Sequence, residues 1–300
     1  MRLLRERRGS GLAGCMSRCP AFGVTGKGRH MKNKEEEGII KGTGRDSAGT
    51  GYRFPFGESV RRVEQTDRRP KRLFVLGVYA SAVHARWVDL QGKTLVAALA
   101  VASEPYIFWR GDGAEDTISR IQVPAGLGRL EPVSPKLNGP SGKALDELFL
   151  APLGHATREE VWCCDLVPHS CLNPKQGAAI DRAYRPVMVK FGLPEPSVPQ
   201  VPGNLTDATR REEIAAELAL SKAERVVLLG DEPIRWFTSH YDSRWKRLAD
   251  FGEPYGREHE IKIEGTPYAV IPLAHPRQVA GLGSHSPKWR SCHERWMKAR

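Results

Sequence analysis

Four short, continuous apolar runs constrain the fold of this 300-residue chain more than any other feature. Strands that are covered on both faces carry apolar residues at successive positions, as the strands of parallel sheets do. Helical stretches and long crossovers separate the runs, as parallel strands require. We therefore predict an α/β fold, a three-layer α/β/α sandwich with a four-stranded, mainly parallel central sheet. The runs are residues 73–76 (LFVL), 160–168 (EVWCCDLVP), 225–230 (RVVLLG) and 268–273 (YAVIPL).

The segments between these runs predict helices, a loop and two further extended stretches. Residues 94–102 form another apolar run, and residues 260–263 predict a small accessory strand. Residues 110–141 are rich in Gly and Pro, which favours an extended surface loop. Helical spacing of apolar residues predicts helices over 177–190, 207–223 and 289–297, and Ser141 begins another capped helix.

The positive charge is concentrated at the two ends of the chain. Residues 1–72 contain 18 Lys and Arg against 8 Asp and Glu, whereas residues 73–274 contain 22 against 26. Residues 1–50 lack apolar periodicity, so we predict a disordered basic segment there and one α/β domain over 51–300. Residues 275–300 are again basic, which suits phosphate binding, although a solvated helix explains the same pattern.

Composition disfavours several classes of protein. No run approaches the roughly 18 apolar residues that span a bilayer, so we expect no membrane partner. The six cysteines form no C-x-x-C pair, which disfavours a zinc or iron–sulfur site. Cys163 and Cys164 lie in an apolar run, as buried reduced thiols do. We therefore expect a cytoplasmic monomer without a metal or another cofactor.

Notable residues follow three of the apolar runs, at the ends where parallel sheets bind ligands. Gly77 permits close backbone approach at the first of these ends. Asp165 lies near the end of the second run, and a Pro-bounded loop follows it. The motifs are GVYAS (77–81) after the first run, Asp165 in the second, and HPRQ (275–278) after the fourth.

Together these motifs resemble those of the uracil-DNA glycosylase superfamily. The resemblance implies a glycine-led turn that positions water and base, a residue at position 165 that reads the base edge, and a His-Pro motif that enters DNA. It also implies DNA as the partner and a damaged or deaminated base as the substrate. The candidate catalytic residues are His275, Tyr79 and Asp165, and the candidate substrate-binding residues are Gly77, Val78, Ala80, Ser81, Asn173, Pro276, Arg277 and Lys288.

Two positions depart from the family pattern. Many members carry a water-positioning Asp, Asn or Glu at the second or third position of the glycine-led motif, where this chain has Val78 and Tyr79. Asp165 replaces the usual Asn, and an ionised carboxylate cannot donate a hydrogen bond to the O4 carbonyl of uracil. An adenine-like or cytosine-like edge, with its exocyclic amine donor, suits an ionised Asp165 better.

Cleavage of an N-glycosidic bond sets three tasks: the base leaves the stack, negative charge on the base is stabilised, and positive charge on the sugar is tolerated. His275 suits the second task, as a hydrogen-bond donor to a base carbonyl. The candidate aromatic faces for the base are Tyr79, Phe54, Phe56 and Trp109, and the candidate carboxylates are Asp89 and Asp165.

Each candidate also has a purely structural explanation. In the structural explanations, His275 would cap a strand end, Asp165 would cap N–H groups of the following loop, and Tyr79 would be an ordinary buried aromatic residue. His84 is typical of a packing or surface histidine near the start of a helix or loop. Three functions therefore stay open: a DNA glycosylase, a catalytically inactive DNA-binding member of the same fold, and a nucleoside or nucleotide hydrolase.

Overall fold

The computed structural model describes residues 50–155, 157–282 and 287–300. The N-terminal segment predicted over 1–50 therefore lies outside the described residues, apart from Thr50. In the described part, eight strands form two sheets. The strands are β1 (Leu73–Tyr79), β2 (Ala82–Val88), β3 (Thr94–Ser103), β4 (Arg129–Pro132), β5 (Val161–Val167), β6 (Arg225–Leu229), β7 (His259–Ile263) and β8 (Thr266–Leu273).

Nine α-helical segments accompany these strands in the described residues. They are α1 (Ala114–Ser119), α2 (Pro140–Leu145), α3 (Pro174–Ala179), α4 (Arg185–Met188), α5 (Ala208–Ser221), α6 (Asp231–Pro233), α7 (Ser239–Tyr241), α8 (Pro276–Val279) and α9 (Pro287–Lys298). Asp207 caps α5, because its carboxylate accepts a hydrogen bond from the Arg210 N–H. The described residues include no helix with the length and apolar character of a membrane span.

The central sheet has the strand order β5-β1-β6-β8-β7. The first four of these strands pair in parallel, which confirms the four apolar runs as parallel strands. The prediction of a four-stranded sheet is wrong, because β7 adds an antiparallel fifth strand. This strand contains the predicted accessory segment, and it pairs with β8 along its whole length, from His259↔Val270 to Ile263↔Thr266.

A second, antiparallel sheet of order β3-β2-β4 begins two residues after β1. We call it the inserted sheet. His84 lies within β2, so its predicted place near a helix or loop is wrong; Val83, Ala85 and Trp87 alternate inward around it. The predicted loop over 110–141 is also wrong in part, because it contains α1, β4 and the first residues of α2.

Two apolar cores stabilise this arrangement. The larger core surrounds the central sheet, and β1 and β5 contribute side chains that are almost wholly buried. The smaller core packs the inserted sheet against the run from α3 to α4, with Trp87, Trp109, Ile180 and Tyr184 at its centre. As a result, the inserted sheet lies close to the carboxyl ends of the central strands, where the candidate residues are.

Candidate functional site

A cavity of about 430 Å³ lies at the carboxyl ends of β1, β5 and β8, and we call it the strand-end cavity. Residues of the inserted sheet and the first turns of α2 and α3 complete its wall. Its volume falls within the range of roughly 300–1,000 Å³ that is typical of small-ligand sites. Its position is the usual one for a ligand site in an open α/β sheet.

Most of the predicted site residues meet in this cavity. Gly77 in β1, Ala80 between β1 and β2, and Pro276 in α8 do not line it. Lys288 lies elsewhere: its ammonium group is 5.1 Å from the ring centroid of Trp289, at a separate pocket. The predicted residues that line the strand-end cavity are Val78, Tyr79, Ser81, Asp165, Asn173, His275 and Arg277.

Asp165 presents a buried carboxyl group to the cavity. Its side chain is opposite Gly77 in the parallel register of β1 and β5, and only 3% of the residue is exposed. Arg210 on α5 binds the backbone carbonyl of Asp165 at 2.6 Å rather than its carboxylate. Within the described residues the carboxyl group accepts no hydrogen bond, so Asp165 does not cap the following loop. Burial raises the pKa of Asp165 to about 7, although the charge of Arg210 opposes this effect.

A second buried carboxyl group, that of Glu104, lines the same cavity. Glu104 directly follows β3 and is 2% exposed. Its Oε1 atom accepts a hydrogen bond from the Ser81 N–H at 3.0 Å, and the backbone N–H of Trp109 also favours the ionised form of the carboxyl group. Burial, and then the charge of Asp165, raise the pKa of Glu104 to about 8. The cavity therefore contains two acidic groups that bind protons near neutral pH.

His275 caps α8 and lines the cavity at the same time. Its Nδ1 atom accepts a hydrogen bond from the Arg277 N–H at 3.2 Å, and Gln278 bonds back to the His275 N–H. His275 therefore caps the start of α8 rather than the end of a strand, and this capping does not compete with a role in the cavity. Because Nδ1 is an acceptor, a neutral His275 carries its proton on Nε2 and acts as a donor from that atom.

Phe108 and Trp109 provide the aromatic wall of the cavity. The Phe108 ring packs against Gly77, and its backbone has a φ of 54°, in the left-handed region. Arg158 stabilises this conformation by donating hydrogen bonds to the carbonyls of Phe108 and Gly142, at 3.2 and 3.1 Å. Of the aromatic residues predicted for this role, Tyr79 and Trp109 line the cavity. Phe54 and Phe56 instead pack in other apolar clusters.

Three cations surround the mouth of the cavity: Lys136, Lys175 and Arg277, which we call the mouth cations. Each lines the cavity and is exposed to solvent. In the part of the chain that the structure describes, none of them forms an ion pair with a carboxylate. They come from three separate elements and leave the mouth positively charged, whereas Arg290 on α9 pairs with Glu294 at 3.0 Å.

Of the two candidate carboxylates, Asp165 lines the cavity and Asp89 does not. Asp89 lies in the turn between β2 and β3, where its carboxylate accepts hydrogen bonds from the N–H groups of Gln91 and Lys93. Glu104 is not among the residues predicted from the sequence, although one signal is present: it is a single acidic residue that follows the apolar run over 94–102 and Ser103, directly before Pro105. His84, which the sequence predicts to be a packing or surface histidine, also lines the cavity.

No group of three or more His, Cys, Asp or Glu in the described residues has the arrangement that a metal ion needs. Comparison with protein-family models finds no match for this chain, and comparison with curated proteins finds no significant relative. The geometry of the strand-end cavity is therefore the basis for assigning a function.

Proposed function

We propose that the strand-end cavity binds a nucleobase that has left the DNA stack, and that the protein hydrolyses the N-glycosidic bond of that nucleotide. One observation carries this proposal: Tyr79, Asp165 and His275, from three separate strand ends, line one cavity. Base excision needs this combination, because a base requires an aromatic face, polar groups along its edge and a donor for its negative charge.

The chemistry of each wall supports the same conclusion. Phe108 and Trp109 offer apolar faces on which a planar base stacks. Asp165 is a donor and an acceptor when it is protonated, which matches a base edge that carries an N–H beside a carbonyl. Since burial raises the pKa of Asp165 to about 7, a large part of the protein carries this form near neutrality. Uracil and hypoxanthine both present such an edge, so deaminated bases are the preferred substrates.

The mouth cations favour DNA over a free nucleoside. A nucleoside carries no phosphate, so it offers no anionic group for the three mouth cations to bind. A DNA strand passes phosphates on both sides of a flipped nucleotide, and Lys and Arg side chains bind them. We therefore propose that the protein takes part in the removal of damaged bases from DNA. We also propose that its fold is the three-layer α/β/α sandwich that the family resemblance implies.

A binding-only function is the second candidate, and one observation favours it. Val78 and Tyr79 occupy the positions where many family members have the water-positioning residue. A protein that retains the cavity and lacks a base for the attacking water binds a flipped nucleotide without cleaving it. The two candidates differ in one measurable property, the formation of an abasic site.

The test is an abasic-site assay on oligonucleotides that contain one uracil, one hypoxanthine or one alkylated base, with free nucleosides in parallel. We expect alkali-labile product from uracil or hypoxanthine in DNA and none from free nucleosides. Binding without product selects the inactive, DNA-binding function. Turnover of nucleosides alone selects the nucleoside hydrolase, and neither binding nor turnover rejects the proposal.

A further inference from the structure

Glu104 is a buried carboxyl group that the family pattern does not assign. It reaches the cavity from the end of β3, in the inserted sheet, whereas the family resemblance places the water-positioning group in the glycine-led turn. Its contacts join it to that same turn, because its Oε1 atom accepts the Ser81 N–H at 3.0 Å. The carboxyl group that is absent at Val78 and Tyr79 is thus supplied to this turn by another strand.

The backbone orients the Glu104 carboxyl group. The hydrogen bond from the Ser81 N–H restricts the rotation of the side chain, and the backbone N–H groups of Ser81 and Trp109 favour its ionised form. Such a carboxylate is prepared to accept a proton from a ligand without rearranging. Asp165 differs in this respect, because its carboxyl group accepts no hydrogen bond in the described part of the chain.

We propose that Glu104 is the catalytic base of the reaction and that Asp165, in its protonated form, reads the edge of the base. This inference rests on the proposed function. It divides two buried carboxyl groups between two tasks, as enzymes do when neighbouring acids differ in their surroundings.

The reaction balances with these groups. Glu104 takes a proton from a water molecule while the water oxygen bonds to C1′ of the sugar. The bond from C1′ to the base nitrogen breaks, and its electron pair stays on the base. His275 donates a hydrogen bond to the negative charge that develops there. The base then takes up a proton from solvent, and Glu104 releases one, so the products are the free base and an abasic sugar.

The bound base itself favours this division of tasks. A base carbonyl that faces Asp165 accepts a hydrogen bond from its protonated form and so stabilises that form. The proton of the pair then stays on Asp165, and Glu104 is left ionised beside the Ser81 N–H. Arg158, Arg210 and Glu217 are the further charged groups that act on the pair, and His84 and His275 are titratable groups of the same cavity.

The test compares Glu104→Gln and Asp165→Asn in single-turnover base release from uracil-containing or hypoxanthine-containing duplex DNA. We expect E104Q to lose about 100-fold or more in rate, the usual contribution of a general base, while its affinity for the DNA stays within threefold. We expect D165N to remain active, because an amide also donates and accepts. Its rate should also persist to higher pH than that of the wild type, because an amide cannot lose the proton that Asp165 needs in order to donate a hydrogen bond.

The controls separate this inference from the proposed function. Glu260→Gln removes the same charge from an exposed position on β7 and should leave the rate unchanged. Glu104→Asp keeps a carboxyl group and should recover part of the rate that E104Q loses. A wild-type rate in E104Q, or no recovery in E104D, overturns the role of Glu104 and leaves the proposed function intact. An inactive D165N beside an active E104Q reverses the two roles, and an inactive wild type rejects the proposed function itself.

Discussion

A Cβ atom on Gly77 would lie 2.2 Å from Oδ1 of Asp165, so the carboxyl group rests directly on the glycine backbone. The same Cβ would lie 2.5 Å from Cζ of Phe108. The absence of a side chain at Gly77 therefore lets an acidic group and an aromatic ring pack against the same backbone position. The glycine that ends the apolar part of β1 has a steric function that no other residue type fulfils.

Gly77→Ala should displace both Asp165 and Phe108. The added methyl group overfills a packed site, which costs about 1–3 kcal/mol in the free energy of unfolding. Binding of base-containing DNA should weaken as well, because the edge-reading and stacking groups move together. Denaturant unfolding and a binding titration measure the two effects. Gly203→Ala is the matched control, since no atom lies within 4 Å of its added Cβ; equal behaviour of the two variants contradicts this account.

Removal of any one mouth cation should weaken DNA binding in a salt-dependent way. We expect Lys136→Gln, Lys175→Gln and Arg277→Gln each to reduce the slope of log K against log salt by about 1, the value for one phosphate contact. Titrations at several salt concentrations give the slopes. Lys262→Gln removes the same charge from an exposed position on β7 and should leave the slope unchanged. A slope that changes equally in all four variants would show that total charge, rather than the mouth, binds DNA.

Arg158→Ala should release the loop that carries Phe108. Arg158 binds the carbonyls of Phe108 and Gly142 and pairs with Asp146, so its removal deletes three contacts that a largely buried guanidinium makes at this loop. We expect a loss of about 3 kcal/mol in the free energy of unfolding. Arg72→Ala breaks an exposed pair with Glu160 and should change it by less than about 0.5 kcal/mol. Comparable stability of R158A and R72A in denaturant unfolding would contradict the proposed role of Arg158.

The sequence predicted the parallel strands because burial on both faces leaves a direct mark on residue type. Each of the four apolar runs became a strand of the central sheet, and Asp207 began its helix as expected. The inserted sheet left a weaker mark. In β2 the polar residues His84 and Arg86 interrupt the apolar positions, so no continuous apolar run marks this strand in the sequence.

The missed parts of the site depend on contacts between distant segments. Glu104 belongs to the cavity because β3 brings it to the N–H of Ser81, and nothing in the local sequence records that contact. Phe108 reaches Gly77 through a left-handed backbone that Arg158 stabilises from 50 residues further along the chain. The sequence therefore predicts where the parallel strands end. It does not predict which side chains of the inserted sheet contact the central sheet, because those contacts join segments that are distant along the chain.

The two buried acids should make stability depend on pH. Burial raises the pKa of Glu104 to about 8, above its value in the unfolded chain, so the folded state binds more protons between about pH 5 and 8. The free energy of unfolding should therefore fall as pH rises through this window. Glu104→Gln removes the penalty, so its stability relative to the wild type should increase by up to about 4 kcal/mol between pH 5 and pH 8.5. Thermal unfolding at both pH values checks this, and a difference that does not grow with pH contradicts it.

Release of a free base from DNA tests the central claim most directly. The measurement is mass-spectrometric detection of uracil or hypoxanthine from a duplex that contains one such nucleotide, with the wild type and His275→Ala under single-turnover conditions. The account predicts that the wild type releases the free base with one abasic site per base, and that H275A releases it at least about 100-fold more slowly. No free base from the wild type, or an equal rate in H275A, would contradict it.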